Sequence, residues 1–184
     1  MKRLENTITY LCGPMDRVKD GGVAWRQMIT PKLHNLGVGV LDPCDKPSDY
    51  APEDFDTRNR IHKLKEEGNW DEVTRIMKPI ANIDLRMVDI AHFIIMYMDV
   101  DVHLCGSYHE AFVAIAQKKP LLVMNEGGKA TLPNWMFGVM PHEMVFGSWD
   151  ELLGYLEHVH SSPDVEDFNR WRFFDSNKIF GKEL

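Results

Sequence analysis

Two carboxylates and their spacing carry the chemistry that this sequence offers. Glu110 follows Ser107 by three positions in Cys105-Gly106-Ser107-Tyr108-His109-Glu110, at the head of a helical pattern over 107–117. The nearly continuous apolar run Phe93-Ile94-Ile95-Met96-Tyr97-Met98 precedes it. A helix that starts where a central strand delivers its carboxyl end can aim a glutamate into a ligand crevice. The same Ser-x-x-Glu also reads as a capping box, in which the glutamate only closes its own helix. Asp84 shares a helical face with Ile80, Met87 and Val88, which draws its carboxyl toward apolar surroundings. Such surroundings raise a carboxyl pKa and suit a general acid; a carboxylate held by a backbone amide is the alternative reading. One ionised and one protonated carboxyl are the equipment for breaking a glycosidic bond through an oxocarbenium-like transition state. Asp89, three residues after Arg86, has an ordinary ion-pair partner and is assigned no chemistry.

The elements that must position these residues read as an alternation. Ile8-Thr9-Tyr10-Leu11-Cys12, stopped by Gly13-Pro14, is a short buried strand. Val23, Met28, Ile29 and Leu33 recur at helical intervals, and 38–41 before Asp42-Pro43 is a second strand, parallel to the first because a helix lies between them. Over 43–69 the composition turns polar, with Tyr50, Phe55, Ile61 and Leu64 as its large apolar residues. The expectation there is a surface helix within an excursion that serves as a lid, with Tyr50 and Phe55 free to stack on a base, or an idle insertion. Helical signals run from Trp70 to Met77 and restart at Pro79 as a first-turn proline. A central strand over 93–98, the helix over 107–117, a strand over 121–124 and a helix around 150–158 complete the pattern. The fold expected is α/β: an open parallel sheet, flavodoxin-like or Rossmann-like, in a single domain over 1–160 with a tail over 161–184. Ligands then belong beyond the strands' carboxyl ends, at 12–22, from Asp42 onward, at 99–110 and at 125–138; Asp99 and Asp101 follow the central strand.

Composition narrows the partners. The chain has 184 residues, 44% hydrophobic and 27% charged, which suits one folded domain with a core. The apolar run over 90–98 is broken by His92 and falls far short of the ~20 residues of a bilayer span. The first residues lack the apolar core of a secretory signal, so the expected location is the cytoplasm. Cys12, Cys44 and Cys105 show no C-x-x-C spacing and are expected to be reduced. A net charge of -7 offers no basic stripe for a nucleic-acid polymer. No Gly-Lys-Ser/Thr follows Gly13, no G-x-G-x-x-G opens a helix, and there is no H-E-x-x-H. No cofactor and no catalytic metal are expected, and a small-molecule partner remains.

Tyr10-Leu11-Cys12-Gly13-Pro14, Asn82-Ile83-Asp84, and Cys105 to Glu110 followed by Ala116 and Lys119-Pro120 together resemble the nucleoside 2-deoxyribosyltransferase family in order and spacing. Asn134-Trp135-Met136-Phe137-Gly138 is similar to that family's Asn-containing segment before its last strand. The resemblance covers most of the chain outside 43–78 and the tail after about 160. It implies Glu110 as the nucleophile at the sugar C1′, Asp84 as the acid near the departing base, and Tyr10 as the residue that orients the glutamate. It also implies that Gly13 lets backbone approach the ligand, and that Ser107, Asn134 and Met136 contact substrate. Tyr10 also reads as a strand aromatic of the core. The chain departs from the pattern at Leu104, where many members carry an acid six residues before the glutamate, and Asp99 or Asp101 is the replacement expected for sugar-hydroxyl recognition.

The activity implied is cleavage of a 2′-deoxynucleoside N-glycosidic bond with transfer of the deoxyribosyl group to another base, without a cofactor. The resemblance further implies a homo-oligomer, with 134–144 as a surface for it. Two other readings stand beside this one. The first is a nucleoside 5′-monophosphate N-glycosidase with Arg17, Lys19 and Gly21-Gly22 at the phosphate; the second is a non-catalytic nucleotide-binding module in which Glu110 is only a cap.

Overall fold

The computed structural model describes residues 2–46, 51–162 and 171. Its elements are, in order, β1 (Ile8–Cys12), α1 (Val23–Asn35), β2 (Gly39–Leu41), α2 (Phe55–Glu66), α3 (Trp70–Ile90) and β3 (Phe93–Met98). There follow α4 (Cys105–Ala116), β4 (Leu121–Asn125), α5 (Asn134–Val139), β5 (Val145–Phe146) and α6 (Trp149–Ser161). The five strands form one sheet in the order β2-β1-β3-β4-β5, and every neighbouring pair is parallel. This is the α/β doubly wound fold of the flavodoxin-like and Rossmann-like type, as the alternation of strand and helix signals led us to expect.

Strand side chains alternate between two faces, and the two cores follow that period. Tyr10, Cys12, Ile94, Met96 and Met98 lie in one core with Met87 and Val88 of α3 and Ala111 and Ala114 of α4. Leu11, Phe93 and Ile95 lie in the other, with Trp25, Ile29 and Leu33 of α1 and Leu152 and Leu156 of α6. Tyr10 and Cys12 therefore project toward the face covered by the two helices that carry Asp84 and Glu110. Strand order reverses between β1 and β3, and the crevice beyond their carboxyl ends is where this topology binds ligands.

Three local expectations change. Pro79 lies inside one continuous helix, α3, and does not open a second one. A proline there removes a single backbone donor, and the buried stripe Ile80, Asp84, Met87 and Val88 holds the helix through it. The helix α4 begins at Cys105, with Leu104 at its cap and no side-chain capping bond. Ser107 thus stands inside the first turn, and the capping box does not form. A fifth strand, β5, of only two residues closes the sheet. No helix among the described residues is long and apolar enough to cross a membrane.

Candidate active site

A cavity of about 480 Å³ opens at the β1/β3 switch point. Tyr10, Gly13 and Pro14 come to it from β1 and its exit, Leu104 to Ser107 and Glu110 from the start of α4, and Ile80, Ala81 and Asp84 from the buried stripe of α3. The remaining wall is α2. Asp54 caps that helix by accepting from Thr57 N at 2.7 Å, which sets Thr57, Ile61 and Lys65, four residues apart, along one side of the cavity, together with Arg58. Glu53, immediately before the cap, also lines it.

Glu110 lies beside Tyr10 and Cys12, both of which lower its pKa, and the Cys12 thiol donates to the Ser107 carbonyl oxygen at 3.3 Å. Burial pushes the Glu110 carboxyl up from the ordinary glutamate range and the charge of Asp84 adds to this, while the bonds from Cys12 and Tyr10 pull it back down. Tyr10 itself is 1% exposed, and burial beside Glu110 and Asp84 raises its phenol well above the usual value. Neighbours of this kind favour the charged form of a carboxylate.

Asp84 is buried, as its helical face indicates, but its surroundings are not purely apolar. Its Oδ1 meets Lys46 Nζ at 2.9 Å, and the same ammonium pairs with Glu53. Burial works against the lysine cation, yet the two carboxylates outweigh it and hold Lys46 above its ordinary pKa. Burial together with the Asp84 charge raises the Glu53 carboxyl to about 7. Lys46 and Glu53 carry no periodic signal in a polar stretch, so sequence patterning passes over them.

Of the residues singled out from sequence, the cavity brings together Glu110, Asp84, Tyr10, Gly13 and Ser107. It does not include Asp99 or Asp101, which make a local turn in which Asp99 Oδ1 accepts from Asp101 N at 3.0 Å. Asn134 opens α5 on the surface, away from the cavity, and Met136 is 1% exposed within the core. Leu104, at the position of the missing acid, is a buried wall residue. Phe55 is exposed and does not line the cavity, and Tyr50 lies outside the described residues. Arg17 and Lys19 are also absent from its lining, where the cationic side chains are Arg58 and Lys65. Among the described residues no group of three His, Cys, Asp or Glu side chains is placed to hold a metal ion.

The glycine at position 13 has a packing cause. A Cβ there would lie 2.9 Å from Trp25 Cζ2 and 3.2 Å from the Tyr97 carbonyl oxygen, so the chain leaves β1 at the cavity floor only with hydrogen in that place.

No family model matches the chain. No curated protein matches it either. Among solved structures, a 2-desoxiribosyltransferase from Leishmania mexicana superposes with a TM-score of 0.52 over 84% of this chain and 99% of that one, at 18% identity. That likeness is one of fold: a single parallel α/β domain shared between this chain and an enzyme.

Proposed function

We propose that the protein breaks the N-glycosidic bond of a 2′-deoxynucleoside and passes the deoxyribosyl group to another nucleobase. The observation that carries this reading is Glu110, a partly buried carboxylate beside Tyr10 and Cys12, with a second carboxyl centre at Asp84 on the wall of the same cavity. Glu110 attacks C1′, the glycosidic electron pair leaves with the base, and a proton from the Asp84 side of the cavity neutralises it. The incoming base then displaces Glu110 from C1′ and returns the proton. The fold shared with a structure described as a 2-desoxiribosyltransferase supports the same reading. The ligands are a nucleoside and a nucleobase. Self-assembly through 134–144, where Trp135 is 72% exposed, belongs to this reading and is checked by sedimentation.

Arg58 and Lys65 on the cavity wall favour a second reading, hydrolysis of a nucleoside 5′-monophosphate. One assay separates the two. Deoxynucleosides and deoxynucleotides are incubated with and without a second base, and the products are resolved. Exchange of bases supports transfer, and free sugar phosphate supports the second reading. Glu110→Ala abolishes either activity in a protein that still melts cooperatively; a folded Glu110→Ala protein that turns over normally overturns both.

A further inference from the structure

We infer that the proton given to the departing base is stored on Glu53, and that Asp84 and Lys46 are the positioning pair that keeps it there. The inference rests on the glycosyl-transfer reading and names its acid. Lys46 Nζ touches both carboxylates, 2.9 Å from Asp84 Oδ1 and paired with Glu53. One ammonium therefore neutralises one of two buried negative charges, and the second is removed by retaining a proton. Glu53 and Asp84 share that one ammonium on the wall of the same cavity, so a proton kept on Glu53 completes the balance of charge.

The groups around Glu53 agree with this assignment. From the segment after β2 it faces Lys46 and the Cys44 thiol, and from α3 it faces Asp84. Arg58 and Lys65 of α2 share the cavity wall with it, and Tyr10 and Glu110 stand beyond Asp84. Burial and the Asp84 charge raise Glu53 to about 7, so it keeps its proton below neutrality. In the bond-breaking step the proton moves from the Glu53 carboxyl to a base nitrogen, the C1′–N electron pair goes to the base, and Glu110 oxygen closes the new bond to C1′. Glu53 is left as the carboxylate beside Lys46 and takes the proton back when the second base attacks.

The test compares a 2′-deoxynucleoside with a dinitrophenyl 2-deoxyriboside, whose leaving group needs no proton. E53Q should slow the nucleoside by ~10²–10⁴-fold and the activated substrate by less than ~10-fold. E53D should recover part of the loss. K46M, which removes the charge that opposes protonation, should move the basic limb of the rate profile to higher pH. Equal losses on both substrates, or an unmoved limb in K46M, would overturn the assignment. A readout independent of turnover uses protein labelled with ¹³C at the glutamate δ carboxyl. One resonance titrating near neutrality should be present in the wild type and missing in E53Q. Its persistence in E53Q would overturn the proton store. Absence of glycosyl transfer in the wild type counts instead against the proposed function.

Discussion

Arg26 Nε lies 3.4 Å from Asp42 Oδ1, joining α1 to the residue that follows β2 beneath the cavity floor. The guanidinium is completely buried, and it also donates to the carbonyl oxygens of Leu11, Gly13 and Gly22 at 2.7 to 3.3 Å. One side chain thus satisfies the backbone that turns away from β1, and leaving such groups unpaired is costly. Gly22 adopts φ 77, where a Cβ would meet the Pro14 carbonyl oxygen at 2.1 Å, so the loop closes on the arginine only with glycine there. Arg26→Met keeps the apolar stem and removes every donor. It should destabilise the fold by ~3–5 kcal/mol, measured by urea unfolding.

Tyr10→Phe tests the electrostatics at Glu110. In the proposed reaction Glu110 works as the carboxylate, so activity should fall as pH drops through its pKa, which burial has already raised. The Tyr10 bond is one of the interactions that lower that pKa. Its loss should move the acid limb of kcat/KM to higher pH while the basic limb stays in place. A profile displaced at both ends, or at neither, would count against this role for Tyr10.

Much of this arrangement is legible in the sequence, and the illegible part has a physical cause. The strands β1 and β3 stand where β-forming runs meet glycine, proline or aspartate, and the buried stripe of α3 follows from helical spacing around Asp84. Lys46 and Glu53 meet Asp84 through tertiary placement, and placement of that kind leaves no local periodicity. Asn134 and Met136 entered through resemblance alone, and their exposure and core packing follow from α5, a six-residue helix set away from the cavity. The N-terminal limit of α4 is not legible in the sequence because Leu104 caps it without a side-chain bond, so no capping residue marks the start.

Gly13→Ala places a methyl against the Trp25 ring and the Tyr97 carbonyl. Trp25 is stacked on Trp149, with ring centroids 5.4 Å apart and planes 12° from parallel, so it yields only by disturbing that pair. A loss of ~1–3 kcal/mol is expected in thermal or urea unfolding. A neutral result would mean that the aromatic cluster relaxes freely.

Glu53→Gln should change how stability depends on pH. The folded protein holds the Glu53 proton up to about 7, against the ordinary glutamate value of 4.5. Between those values the native state binds more protons than the unfolded chain, so stability contributed by this group is present at low pH and is lost as pH rises through 7. Gln does not titrate. From about pH 5 to about pH 8 the variant should therefore gain about 2 kcal/mol relative to wild type, apart from any constant offset. Parallel curves for the two proteins would contradict the raised carboxyl.

The wall formed by α2 should decide between water and a second base. Thr57, Arg58, Ile61 and Lys65 cover one side of the cavity, and Ile61 is 5% exposed where α2 packs on α3. A glycosyl-enzyme survives to meet its acceptor only if water is kept out during exchange of the bases. Replacing 57–66 by a Gly-Ser sequence of equal length removes this wall and retains Lys46, Glu53 and every strand. Hydrolysis should then rise relative to transfer, and circular dichroism should show the loss of one helix without loss of the sheet. If the replaced wall leaves the ratio unchanged in an active protein, α2 is scaffold, and water must be excluded by the loops from β1 and α4 instead.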